Sequence, residues 1–176
     1  MVLGAFLAAS APARPRVAQQ ATSPCSGADT MILDEASRRR GVSTLLCLVN
    51  RSRAAAGLKP LRRSTSLDGA ARTHSAAMVE RSFFSHSGTL GLRRRAVRSG
   101  YIRRGRRALL GETIAWGMGT MATPAQLLAA FLESAPHRLT LLHPQFRDAG
   151  IGVTLGAPLR GADGPATTVT VDLGRR

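Results

Sequence analysis

Apolar residues recur at helical spacing through Val42, Leu45, Leu46 and Val49, and Gly57 followed by Pro60 supplies the stop for this first helix. A second helix is expected from Thr65, where Thr-Ser-Leu-Asp offers a capping box. Its apolar face is Leu67, Ala70, Ala71, His74, Ala77 and Met78. His74 thus points inward, and a histidine so placed is more often a hydrogen-bonded core residue than a ligand. Leu92, Ala96 and Val97 support one short helix ending at Gly100. Gly111 to Gly117 reads as a strand with Glu112, Ile114 and Trp116 on one face. Thr123-Pro124-Ala125-Gln126 opens another helix with an N-cap, a proline in the first turn and Gln at N3. Leu127, Leu128, Phe131 and Leu132 form its buried stripe, Pro136 closes it, and a short helical turn follows from His137 to Leu142. The tail alternates as two strands, near 149–155 and 166–173. Helices first and strands late predict an α+β fold, with helices packed on a small antiparallel sheet.

The 176 residues suit one domain, and 44% hydrophobic content is enough for a real core. Lys and Arg number 25 against 10 acids, a formal charge of +15, and Lys59 is the single lysine. The arginine bias beside abundant Ala and Gly fits a GC-rich coding sequence. It is also local, because eight arginines and no acid lie between residues 93 and 107. Charge of this kind bears on partners rather than on fold. Tyr101 is the single aromatic of that segment, so nucleic-acid binding, which needs stacking platforms, is disfavoured.

Residues 1–13 end in Ala11-Pro12-Ala13 after a short apolar stretch, as the end of a secretory signal does, although a basic leading region is missing. Residues 14–30, rich in Pro, Gln, Ser and Gly, read as a linker before a domain spanning 31–176. No apolar run approaches the ~20 residues of a spanning helix. In an exported chain Cys25 and Cys47 are free to form a disulfide; otherwise they are two unrelated thiols, with Cys47 buried as a small hydrophobe.

No nucleophile elbow, Walker loop, dinucleotide fingerprint or His-Glu-x-x-His motif occurs. Acids are so scarce that Glu112 and Glu133 alone lie between Arg81 and Arg147, which disfavours a paired-carboxylate site. The polar candidates are His86, Glu112 and His137. Asn50 and Arg53 are expected to fix packing, Arg53 needing a buried acceptor, and Trp116 and Tyr101 to fill core.

The motifs L-x-L-V-N-R-x-R-x-x-x-G-L-x-P-L (Leu46 to Leu61), A-R-x-H-S-x-x-M (Ala71 to Met78), F-F-S-H-S-G, G-E-T-I-A-W-G, S-A-P-H-R and G-I-G-V stand in one order along the chain. Together they resemble a bacterial CAP domain, of the superfamily of cysteine-rich secretory proteins, antigen 5 and plant pathogenesis-related-1 proteins. The resemblance runs from about Cys25 to Gly174. It implies a three-layer α-β-α sandwich with a small central antiparallel sheet and a cleft lined by two His and two Glu. On this chain those positions fall at His86, Glu112 and His137, with Thr113 where the family usually has Asn. The second Glu, three residues after an aromatic, falls at Ser134. Glu133 is one step earlier, about 100° away around a helix, so three of the four are kept. His143 stands where Asn is frequent, outside the site.

Two imidazoles and a carboxylate could hold zinc with one position left for water. The competing reading is a structural cluster in which Glu112 accepts hydrogen bonds from His86 or His137, or pairs with a nearby arginine. The resemblance therefore implies a secreted, monomeric module that binds lipid, wall polymer or protein at the cell envelope, with an anionic surface favoured by the arginines. The alternative is a metal-assisted hydrolase using the same cleft.

Overall fold

In the computed structural model, residues 25–88, 90–162 and 164–176 are described; the expected leader (1–13) and linker residues 14–24 lie outside them. The helical period around Val42 becomes α1 (Glu35–Ala55), which starts at a capping box formed by Asp34 and Ser37. Next come β1 (Arg62–Arg63), α2 (Thr65–Glu80), α3 (Leu92–Arg98) and β2 (Leu109–Met118). A 3-10 turn, Gly119–Ala122, leads into α4 (Pro124–Glu133) and α5 (Ala135–Leu141), then β3 (Asp148–Leu155) and β4 (Ala166–Arg175).

Two local expectations are corrected. The N-cap of α2 is Ser64, whose hydroxyl accepts from Leu67 N–H at 3.3 Å. Asp68 is thereby released to accept from Ile151 N–H (2.8 Å) and Arg63 Nε (2.7 Å), joining α2 to the sheet. Pro136 does not close α4. It sits in the first turn of α5, where a missing N–H costs nothing.

The sheet order is β1-β3-β4-β2. The three long strands are antiparallel, as expected, but β1 joins parallel to β3, so the sheet as a whole is mixed. Alternation along the strands gives the two faces opposite characters. Ala115, Val171, Val169, Ile151 and Val153 face α1, α4 and α5, where Leu45, Val49, Leu127 and Phe131 complete the main core. On the other face β3 and β4 carry no large aliphatic residue, and β2 supplies Leu110, Ile114 and Trp116. Glu112, Asp172 and Gly150 pair across this face in one row, and Ile114, Thr170 and Gly152 in the next.

The glycines explain how α2 covers that face. A Cβ at Gly150 would stand 2.1 Å from the Leu67 carbonyl carbon, and one at Gly152 2.2 Å from that of Ala71. The helix therefore rests backbone-to-backbone on β3. With α3 above α2, the layers are helix, sheet and helix, and the α-β-α sandwich holds.

Two polar anchors fix the α1 side. Asn50 exchanges hydrogen bonds with both Leu61 backbone groups, at 2.8 and 3.0 Å. Arg53, fully buried, finds its acceptors in the carbonyls of Lys59 (3.0 Å), Leu141 (2.7 Å) and His143 (3.1 Å). A cation on the last carbonyl of α5 suits that helix's dipole. Cys25 and Cys47 form a disulfide, holding the chain's entrance against α1. Ile32 then docks at the start of β4, its carbonyl accepting from Thr167 Oγ1 at 2.9 Å.

Candidate functional site

β2 is an edge strand, and the candidate residues gather along it from both helical layers. Glu112 is placed by the alternation of β2, its side chain only 5% exposed. His86 follows α2. Ser82 takes left-handed backbone (φ +52°) and Phe83 N–H returns to the Met78 carbonyl at 3.1 Å, turning the chain back. His86 then donates Nδ1–H to Glu112 Oε1 at 3.0 Å while its ring stays half exposed. His137, on α5, comes from the opposite layer. Its ring lies 6.1 Å from that of His86 and packs edge-on against Phe131 at 5.6 Å. No hydrogen bond or ion pair joins His137 to Glu112.

Three further residues complete the cluster. Arg95, buried on α3, pairs through Nη2 with Glu112 Oε2 and donates Nη1 to the Leu90 carbonyl. His74 is buried as expected, but among the described residues its Nε2 has no hydrogen-bond partner, and it faces Glu112 Oε1 at 3.8 Å. Asp172 is fully buried directly opposite Glu112. Among the described residues no N–H or hydroxyl donor reaches either of its oxygens; Glu112 is its neighbour, and Arg95 Nη2 is 4.0 Å away.

Burial, and then the charge of Glu112, push the Asp172 carboxyl well above the usual carboxylate range. Burial holds His74 below the ordinary imidazole value, with Glu112 partly opposing it. Burial and then the charge of His86 do the same to His137. The interior of the cluster thus favours neutral imidazoles around one carboxylate–guanidinium pair.

Ser134, where the family's second Glu would fall, joins α4 to α5 without a side-chain capping bond. Glu133 is exposed, as its helical angle predicted. His143 accepts from Gln145 N–H at 3.3 Å and packs on Phe146, outside the cluster.

His86, Glu112 and His137 lie near one another, and only His86 and Glu112 are joined by a hydrogen bond. Among the described residues no three His, Cys, Asp or Glu side chains converge on one metal position. Both Glu112 oxygens are engaged, one by His86 and one by the Arg95 guanidinium. The arrangement is a charge-assisted latch across β2, α3 and the loop after α2.

Arg95 escaped the sequence reading because it stands among seven exposed arginines in the 93–107 run. One signal was present: it follows Leu92 by three residues and precedes Ala96, on the apolar side of α3. Asp172 gave no such signal, since it alternates with Val169, Val171 and Leu173 as a solvent-facing strand residue does.

An α-β-α sandwich with this His/Glu cluster on its edge strand defines a CAP domain. Residues 46–172 match the family described as CAP, the cysteine-rich secretory protein family, and the chain belongs to it. It is 34% identical over 106 residues to YkwD of Bacillus subtilis (strain 168), an uncharacterized protein; the match covers 60% of this chain and 39% of that protein's length. Among solved structures it resembles an extracellular protein containing a SCP domain from Bacillus anthracis, with TM-score 0.64 and 24% identity, over 82% of this chain and 45% of that one. It also resembles an outer surface protein of Borrelia burgdorferi, with TM-score 0.55 and 20% identity, over 75% and 90% of the two chains. These two likenesses establish the fold.

Proposed function

We propose that the chain is an exported CAP domain that binds an anionic component of the cell envelope without transforming it. The observation that carries this reading is the disposition of the arginines. Of the eight between residues 93 and 107, Arg95 alone is buried and paired with a carboxylate among the described residues, and the other seven are exposed. Such a surface attracts polyanions in a salt-dependent way. The state of Glu112 supports the same conclusion, since a carboxylate held by a guanidinium and an imidazole is poorly placed to activate water. The Cys25–Cys47 disulfide agrees with an oxidising compartment.

The purified chain should co-sediment with anionic phospholipid vesicles or wall fragments at low salt, be released as salt is raised, and ignore neutral vesicles. Equal retention on neutral and anionic vesicles at low salt would end this reading. Substitution of Glu112 by Gln should leave retention unchanged.

A further inference from the structure

At the end of the sheet away from Ile32, the segment between α3 and β2, together with Arg176, lines a basin of about 740 Å³. Arg103, Arg106, Arg107 and Arg176 line it, and among the described residues no Asp or Glu side chain does. Its floor is Tyr101, which is buried and donates its hydroxyl to Asp148 Oδ2 at 2.8 Å. Arg176 lies over that ring at 5.0 Å and donates to the Tyr101 carbonyl at 3.2 Å. The arginines stand on an ordered turn. Arg106 N–H closes onto the Arg103 carbonyl at 3.0 Å, and Gly105 (φ +80°) takes the left-handed position. Arg93 braces the turn by donating to the Arg106 carbonyl at 2.6 Å.

The basin runs on in both directions. A neighbouring concavity shares Arg176 and is lined by Arg62 and Arg63, and another shares Arg107 and Arg176. The two acids nearby are already engaged: Asp148 by Tyr101 and Arg62, Asp68 by Arg63 and Ile151 N–H. Guanidinium groups gathered without a counter-charge repel one another, and an anion seated between them removes that repulsion.

We propose that this trough binds a linear polyanion bearing repeated phosphate groups and no bases. The proposal rests on the envelope-binding reading and gives it a place, away from the His/Glu cluster, and a ligand chemistry. Guanidinium forks match phosphate oxygens in bidentate fashion. Three adjoining concavities that share Arg176 suit a chain better than a bilayer, and Leu109 is the one exposed large apolar residue among their described lining residues. Bases need open aromatic faces to stack on, whereas Tyr101 is buried beneath Arg176.

The test uses the full chain and long-chain inorganic polyphosphate, followed by fluorescence anisotropy between about 50 and 200 mM salt. The triple variant Arg103→Ala/Arg106→Ala/Arg107→Ala is compared with an equal-charge control, Arg51→Ala/Arg81→Ala/Arg160→Ala, taken from exposed positions outside the arginine run. The trough variant should bind at least roughly tenfold more weakly, with a log–log salt slope shallower by about 2. The control should stay within about twofold of the parent, and both should unfold at the parent's temperature. Equal losses in the two variants, or none in the first, would overturn the assignment to the trough. Inorganic phosphate should compete weakly. A single-stranded oligonucleotide of matched phosphate number that binds more tightly than polyphosphate would overturn the base-free ligand. If anionic vesicles retain the chain and polyphosphate does not, the polymer assignment falls while envelope binding stands. If neither binds, both fall.

Discussion

Glu112 and Asp172 face each other across the β2–β4 ladder, yet Arg95 reaches one at hydrogen-bonding distance and the other only at 4.0 Å. One guanidinium neutralises one carboxylate, so the second carries the burden of burial. Its raised pKa means that, above the ordinary aspartate value of about 3.9, the folded chain holds a proton the unfolded chain has released. Stability from this group therefore falls as pH rises towards the raised value. Asp172→Asn removes that loss. In guanidinium denaturation the variant should gain on the parent progressively from pH 4 to 7, on the order of 1.4 kcal/mol per unit of raised pKa spanned. Parallel curves would show that Asp172 is ionised in the folded chain. His74 and His137 act in the opposite sense, since depressed imidazoles lose stability as pH falls through about 6.5.

At the scale of elements, α2 is positioned by what its partner strand lacks. Gly150 and Gly152 let the helix backbone meet the strand, which brings His74 over Glu112 and leaves Asp172 no route to solvent. Gly150→Ala must push against the Leu67 and Asp68 backbone, so thermal denaturation should show a loss of about 1–3 kcal/mol or more. Gly69, in the same helix, has nothing near its missing Cβ, and Gly69→Ala should instead stabilise by up to about 1 kcal/mol. Similar effects for the two would mean that α2 is not seated on bare backbone. The helices, their order and the three long strands were readable because each buries one face against a single layer, and burial leaves a period. The α2 cap was misread by one residue because Ser64, Thr65 and Asp68 all have side chains able to cap, and the sheet's need for Asp68 decides between them. The parallel pairing of β1 left no trace, since two residues make no period.

For the whole molecule, motif order was enough to bring His86, Glu112 and His137 to one strand edge. The charge state of that edge depended on Arg95 and Asp172, whose neighbours are set by packing across layers rather than by local sequence. The disulfide belongs to this scale as well. It closes a loop of sequence separation 22, and loop-closure entropy assigns such a link about 3 kcal/mol. Reduction, or Cys25→Ala with Cys47→Ala, should lower the unfolding temperature by a corresponding amount while the polyphosphate affinity of the folded chain stays unchanged. A loss of affinity at temperatures where the chain is still folded would tie the trough to the far end of the sheet.

The course of β4 gives the molecule two poles. Thr167, near its first residue, holds Ile32 and the disulfide-tethered entrance; Arg176, just past its last, overhangs Tyr101. Nine residue steps at about 3.4 Å separate the ends of the strand, roughly 30 Å in all. Ile32 is therefore held at the pole opposite the arginines. A polyanion seated at the arginine pole would thus leave the Ile32 pole clear by the length of a strand.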